Sequence, residues 1–311
     1  MESHLVTGAT GLVGMHIVLD LLSQNKKVCA TFTKNSNRSI IKHVFNHYGF
    51  SNYYDKVKWI KMDLEDVTEV YQAIKGVDFV YHSGAIVSFN KSDYEQMRRI
   101  NIEGTTNIVN ACLEHKIKKL AFISSVASIG RDGKGKYSEK NKWNSGKENS
   151  FYALTKYKAE NEVWRGIEEG LSAVITNPGI IIGPSDWRRS STTIFKQIHK
   201  GLSYFPLGIN GFVDVRDVAR ATIALMDSKI SGERYILVGE NLSYKSVFDE
   251  IALSLNKPKP DKKASKSILE IAWRLEAIRC FITNKKQSIT KETARTSNQV
   301  NIYKNQKIVK F

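Results

Sequence analysis

From Thr7 to Gly14 the chain reads T-G-A-T-G-L-V-G, with a glycine at every third position. This octapeptide restricts the fold more than any other stretch. An apolar start at Ser3–Val6 precedes it, helical periodicity follows over Met15–Leu22, and Val28–Phe32 reads as a second strand. Strand, glycine turn, helix and strand form the opening unit of a dinucleotide-binding α/β fold. Gly8 permits the tight turn, Gly11 lets backbone approach a pyrophosphate, and Gly14 lets helix and strand pack closely. The spacing is G-x-x-G-x-x-G rather than the more familiar G-x-G-x-x-G. Thr7, Gly8, Thr10, Gly11, Leu12, Val13 and Gly14 are therefore candidate cofactor-binding residues, with the helix N-terminus presenting N–H groups to the phosphates.

Further short apolar runs recur at Val57–Met62, Phe79–His82, Lys119–Ile123 and Ala173–Thr176. Helical patterns lie between them, over Val67–Lys75, Asp93–His115 and Tyr152–Glu169. The alternation predicts an α/β protein with a Rossmann-type, doubly wound parallel sheet. Lys134–Asn149 is polar and dotted with glycine, which predicts a loop. The alternation breaks over Pro184–Gly211 and again after Gly239. The expected division is a dinucleotide-binding domain over 1–177 plus 212–239, and a smaller substrate lobe over 178–211 plus 240–311.

Tyr152 and Lys156 are spaced Y-x-x-x-K, which on a helix places both side chains on one face. An ammonium beside a phenol favours the phenolate, so Lys156 is expected to pull the Tyr152 pKa below ~10. A tyrosine tuned that way can exchange protons with a substrate. Taken alone, the pair also fits a surface helix that happens to carry both residues.

With 311 residues, 41% hydrophobic and 25% charged, the chain can bury a full core. No run of about 18 apolar residues occurs, so no membrane span is expected. The opening M-E-S-H-L-V-T-G enters a strand without a basic, signal-like segment, and Cys29, Cys112 and Cys280 are too scattered for a disulfide framework. The cytoplasm is the expected compartment. Net charge is +16, and Lys257–Phe311 alone holds 14 Lys and Arg against 4 Asp and Glu. Such a region can contact nucleic acid, anionic lipid or a phosphorylated substrate. No nucleic-acid module accompanies it, which favours a lysine-rich solvated surface. Ser267–Ile282 carries Ile268, Ile271, Trp273, Leu275, Ile278 and Phe281 between charges. That helix can lie on a membrane, but packing against a neighbour is the ordinary outcome and is expected here. His43 and His47 have a metal-capable spacing without an acidic third ligand, so no metal is expected.

Motifs along nearly the whole chain resemble the extended short-chain dehydrogenase/reductase family, also called the NAD-dependent epimerase/dehydratase family. They are the glycine turn at Thr7, D-L at Asp63, H-S-G-A at His82, N-I-E-G-T at Asn101, I-S-S-V-A-S-I-G at Ile123, Y-A-L-T-K at Tyr152, N-P-G-I-I-I-G-P at Asn177 and F-V-D-V-R-D-V-A at Phe212. Within the family the chain looks closest to dihydroflavonol reductase-like and hydroxysteroid dehydrogenase-like members. The resemblance implies that Tyr152 is the catalytic acid/base and that Lys156 supports it and grips the nicotinamide ribose. It also implies that Ser125, with Ser124 as neighbour, hydrogen-bonds the reacting oxygen, and that Asn101 supports a proton-relay water. Asp63 and Leu64 would contact adenine, and His82, Gly84, Ala85, Pro178, Gly179 and Ile180 would lie along the cofactor. The structural alternatives are that the serines end a strand and Asn101 caps a helix. The resemblance further implies a homodimer through the helices at Asp93–His115 and Tyr152–Glu169, and relatives continue with another helix beyond the point matching Phe311.

Cofactor choice turns on the end of the second strand. An acid there would bind the ribose 2′-OH of NAD. The segment Phe32–Arg38 contains none, and Lys34 and Arg38 can pair with a 2′-phosphate, so NADP is expected ahead of NAD. Related reductases often carry Arg where Thr33 stands. Val126 and Ala127 follow Ser125, where sugar dehydratases of the family carry an Asp-Glu pair, so elimination chemistry is not expected. The leading expectation is reduction of a ketone or aldehyde, or oxidation of the alcohol, on a small substrate that can be phosphorylated. A nucleotide-sugar epimerase is the alternative enzyme, with Arg188, Arg189, Lys196 and Arg216 as candidate diphosphate ligands; Arg216 can instead brace a helix start. A non-catalytic NAD(P)-binding regulator is the reading of another class.

Overall fold

A computed structural model describes residues 2–131, 135–146, 149–188, 190–283 and 286–311. β1 (Ser3–Thr7) is buried along its whole length, as expected for a strand covered on both faces. The glycine turn leads into α1 (Leu12–Ser23), β2 (Lys27–Phe32), α2 (Ser39–His47), β3 (Lys58–Lys61), α3 (Val67–Ile74) and β4 (Phe79–His82). The expected single helix at Asp93–His115 comprises α4 (Tyr94–Met97), a wide π-type turn at Arg98–Glu103, and α5 (Gly104–Glu114). Then come β5 (Lys119–Ile123), β6 (Lys136–Tyr137), α6 (Phe151–Glu168) and β7 (Ala173–Pro178). Beyond these lie β8 (Ile180–Ile182), α7 (Thr193–His199), β9 (Tyr204–Pro206), β10 (Ile209–Asp214), α8 (Val215–Asp227) and β11 (Glu233–Leu237). The last described elements are β12 (Glu240–Ser243), α9 (Tyr244–Ser254), β13 (Lys262–Ala264), α10 (Lys266–Thr283), α11 (Lys291–Thr296), β14 (Ile302–Tyr303) and α12 (Gln306–Val309).

The main sheet has seven parallel strands in the order β3-β2-β1-β4-β5-β7-β11. Strand order reverses between β1 and β4, which opens a crevice at their C-terminal ends. The two-residue period of β1 sends Leu5 to one face and Val6 to the other. Leu5 packs with Val80, Phe122, Ile108 and Val163 beneath α5 and α6, while Val6 packs with Met15, Ile17 and Ile223 beneath α1 and α8. Gly179 leaves the main sheet for a second one, ordered β12-β10-β8, whose apolar core includes Ile198, Phe212, Phe248 and Ile251. Phe212–Asp214 pair with Ile180–Ile182 in that small sheet before α8 and β11 return to the large one.

Two expectations from sequence fail. Within the predicted loop, Lys136–Tyr137 form a strand paired in parallel with Ile302–Tyr303; Lys134, Lys147 and Glu148 lie outside the described residues. A partner so far along the chain leaves no local signal. The predicted helix at Ser267–Ile282 exists as α10, but its main apolar face is not packed. Leu269 and Cys280 are buried and Trp273 is half-buried, against α11 and its surroundings, whereas Ile271, Leu275, Ile278, Phe281 and Ile282 are exposed.

Candidate active site

The glycine turn is shaped by close backbone approaches. Gly8 has φ +63°, and a Cβ there would come within 2.6 Å of Gly84 Cα; at Gly14 it would come within 2.4 Å of the Gly8 carbonyl oxygen. Gly11 N donates to that same oxygen at 2.8 Å. Gly11 precedes α1 without any side-chain cap, so the first-turn N–H groups of the helix are left for an anion. This cradle, bare of side chains and positioned at the switch point, fits a dinucleotide pyrophosphate. Beneath it, Thr7 Oγ1 accepts from Gly84 N at 3.3 Å and lies 2.7 Å from His82 Nδ1, while His82 Nε2 lies 3.1 Å from Thr105 Oγ1. Thr7 and His82 are fully buried, and Leu64 fills the space against Gly84 and Gly104. Thr7 was expected to bind the cofactor, His82 to lie along it and Leu64 to contact adenine; the side chains of all three are buried beneath the turn. Burial, helped by the Lys156 charge, pushes His82 down to about 3, so it is neutral. Ala85 is exposed, and Thr10 Oγ1 donates to Ser36 Oγ at 3.3 Å, tying the turn to the segment after β2.

At the ends of β2 and β3 lies a cleft of about 580 Å³ that includes Lys34 and Asp63. Arg38 stands nearby with its guanidinium stacked 4.4 Å from the Phe32 ring centroid. The cleft also holds Lys61, Glu65, Asp66 and Glu69, a mixed-charge wall that sequence reasoning missed. Part of that charge is already committed: Glu69 Oε2 accepts from Asp63 N at 2.7 Å and Asp66 caps α3.

Ser150 caps α6 by accepting from Ala153 N at 2.8 Å, which fixes where Tyr152 begins the helix. Lys156 follows one turn later. Ser125 ends the loop after β5, accepts from Ala127 N at 3.1 Å, and has its hydroxyl near enough to the Tyr152 phenol to work against the upward pull of burial on it. Ser124 points elsewhere, donating to the buried Glu160 carboxylate at 2.7 Å. Lys156 is buried, donates to Ile123 O at 2.8 Å, and lies 4.4 Å from the Phe122 ring centroid. The expected lowering of the Tyr152 pKa does not occur. Burial pushes the phenol up to about 12 against the opposing Ser125 hydrogen bond, and the same burial pulls Lys156 down to about 7 despite the Glu160 charge. Desolvation outweighs the pairwise attraction that helical spacing suggests.

Asn101 sits in the π-type turn, fully buried. Its side-chain oxygen accepts from Ile86 N at 2.8 Å, and its amide donates to Ile86 O at 2.9 Å and Thr155 Oγ1 at 3.1 Å. It thus fastens the loop after β4 to α6, and it caps no helix. Glu160 was not singled out from sequence. It gathers Ser124, Ser128, Asn177 and Arg234, and so locks β5, β7 and β11 behind the site. Its place one turn beyond Lys156 was the available signal. Pro178 ends β7, and Gly179 and Ile180 carry the chain toward β8 with a Cβ-free approach of Gly179 to Gly211 O. Arg188 pairs with Asp186 at 2.9 Å, and Arg216 with Asp214 at 2.6 Å at the start of α8, so Arg216 braces that helix. Lys196 is half-buried on α7, and Arg189 lies outside the described residues. His43 and His47 are exposed on α2, and among the described residues no group of three or more His, Cys, Asp or Glu is placed to hold a metal.

A parallel sheet with this cradle at its switch point, and a Ser–Tyr–Lys group at the next strand ends, defines a dinucleotide-dependent α/β enzyme. Residues 4–239 match the NAD dependent epimerase/dehydratase family, and the chain belongs to it. It is an NAD(P)-dependent oxidoreductase of the extended short-chain dehydrogenase/reductase type. Its relatives include sterol demethylase protein B of Methylococcus capsulatus, 28% identical with 82% of this chain and 75% of that protein covered. A putative dihydroflavonol 4-reductase of Synechocystis is 29% identical, with 89% and 80% covered. Among solved structures, gox2253 is 28% identical, with 100% and 92% covered and a TM-score of 0.80. The fold is shared with UDP-glucose 4-epimerase of Thermus thermophilus in complex with NAD, 21% identical, with 99% and 92% covered and a TM-score of 0.74.

Proposed function

We propose that the chain reduces a ketone or aldehyde to an alcohol, or runs the reverse, with NADP(H) preferred over NAD. The observation that carries this reading is the grouping of Ser125, at the end of β5, with the Tyr152 phenol and with Lys156 buried one turn along the same helix. Bound in the glycine cradle, the nicotinamide cofactor supplies or accepts the hydride. Ser125 orients the substrate oxygen, and Tyr152, kept protonated by burial, donates the proton to that oxygen during reduction. Lys156 holds the end of β5 through Ile123 and is placed to reach the cofactor ribose. Asn101 keeps the loop after β4 against α6. Lys34 and Arg38, with no acid between residues 33 and 38, favour a 2′-phosphate. The substrate lobe comprises residues 178–211 and 240–311, and the functional unit is a cytoplasmic homodimer through α5 and α6.

The test is substrate-dependent consumption of NADPH across a carbonyl panel. Tyr152→Phe is expected to lower kcat by at least about a thousandfold while NADPH binding, followed by fluorescence, stays intact. Turnover surviving in that variant would remove Tyr152 from the reaction. Purified protein carrying tightly held NAD, with isomerisation and no net redox change, would mark an epimerase instead.

A further inference from the structure

The apolar face of α10 is left uncovered in a pattern that points to what covers it. Ile268, Ile271, Leu275, Ile278 and Ile282 follow one another at intervals of three and four, so they form a single seam along the helix. Their exposure runs from 40% at Ile268 to 77% at Ile282, with Phe281 at 91% beside the seam. The opposite flank, with Leu269, Trp273 and Cys280, is the one packed against the protein. An apolar seam of this kind has three ordinary occupants: another element of the chain, a second copy, or a lipid surface. Among the described residues no element covers it.

Charge separates the other two. Arg274 and Arg279 stand on the two shoulders of the seam, half or more exposed, and their partners Glu270 and Glu276 lie toward the packed side. Pairing two copies along the seam brings arginine against arginine in either orientation, which opposes association. Lys262 and Lys263 are exposed just before the helix. Between Lys257 and Lys291 there are ten Lys and Arg against three Asp and Glu. An apolar stripe bordered by basic residues is complementary to an anionic bilayer surface. Five charged residues within Lys266–Thr283 keep the helix on the surface rather than across it, and among the described residues no helix is long and apolar enough to span a membrane.

We propose that α10 docks this enzyme on anionic membranes as an in-plane amphipathic helix. Its C-terminal end is tied to the catalytic region: Lys286 Nζ donates to Asp93 at 2.8 and 2.9 Å, and Gln287 N donates to Asn90 Oδ1 at 3.1 Å. That loop carries Phe89, whose ring meets Tyr152 edge-on at 6.0 Å between centroids. Docking therefore brings the loop that bears Phe89 close to the bilayer. The inference goes beyond the proposed reaction and does not depend on it.

The test is co-sedimentation of the full chain with vesicles of phosphatidylcholine alone or containing phosphatidylglycerol, alongside light scattering for the mass in solution. Binding is expected only with phosphatidylglycerol and is expected to weaken as salt rises. The double variant Leu275→Asp/Ile278→Asp, at sites already exposed, should bind at least about tenfold more weakly with unchanged melting temperature and mass. Lys262→Glu/Lys263→Glu should weaken binding roughly fivefold per residue. Failure of the full chain to bind anionic vesicles, or undiminished binding by the Asp variant, would overturn the proposal. So would a halved mass in that variant, which would make the seam a subunit contact.

Discussion

Lys156 is an ammonium placed where its charge is disfavoured. Its pKa is pulled by burial to about 7, from an ordinary 10.5 in the unfolded chain. Below pH 7 both states are protonated and the full penalty is present. Between pH 7 and 10.5 the unfolded chain binds more protons, so stability rises with pH across that window. Lys156→Met is therefore expected to raise the melting temperature most below pH 7, with the gain fading toward pH 10.5, while turnover falls. A variant less stable at pH 6 than at pH 9 relative to the parent would contradict this. Tyr152, pushed up to about 12, remains an acid at neutral pH. Under the proposed reaction, alcohol oxidation draws on the phenolate and should speed up about tenfold per pH unit from pH 7 to 10, whereas reduction should not gain. The identities of Ser125, Tyr152 and Lys156 were legible as motifs. Their protonation was not, because desolvation depends on everything packed around α6, and spacing reports only the neighbour four residues away.

At the level of elements, local rules were enough wherever partners are close in sequence. β4 and β5 fall on the expected bounds because each is a compact apolar run between turn signals. The helix at Asp93–His115 was legible as a helix but not as one interrupted by a π-type turn. That interruption aims the Asn101 amide at Ile86 and Thr155, and nothing in its own periodicity announces it. Gly14→Ala tests the most constrained junction. Its Cβ would lie 2.4 Å from the Gly8 carbonyl oxygen, so α1 must shift away from β1. Cofactor affinity is expected to fall by at least about tenfold, read by NADPH fluorescence titration. Ser150→Ala removes the α6 cap and should cost about 1 kcal/mol in chemical denaturation.

Across the whole molecule, the parallel sheet was foreseeable because βαβ units permit few alternatives. The surroundings of α10 were not. Amphipathicity states that a face must be covered without stating by what, and the expected packing proved to involve only the opposite flank. The segment after α10 and the segment before α4 are coupled through the ion pair of Lys286 with Asp93, whose carboxylate also accepts from Ser88 and Ser92. Lys286→Ala should loosen the loop over Tyr152. The expected result is a KM raised by a few fold with kcat nearly unchanged, since one largely exposed ion pair contributes up to about 1 kcal/mol.

The parallel pairing of Lys136–Tyr137 with Ile302–Tyr303 also sets an order of events during translation. A ribosome emits the glycine cradle, Ser125, Tyr152 and Lys156 long before it emits residue 303. Lys136–Tyr137 must therefore wait for their strand partner, although β11 already holds the neighbouring Glu139 and Asn141 through Arg234 and Ile236. A nascent chain halted after β11 can already close its seven-stranded sheet, yet it leaves the edge of Lys136–Tyr137 unpaired until Ile302–Tyr303 arrive.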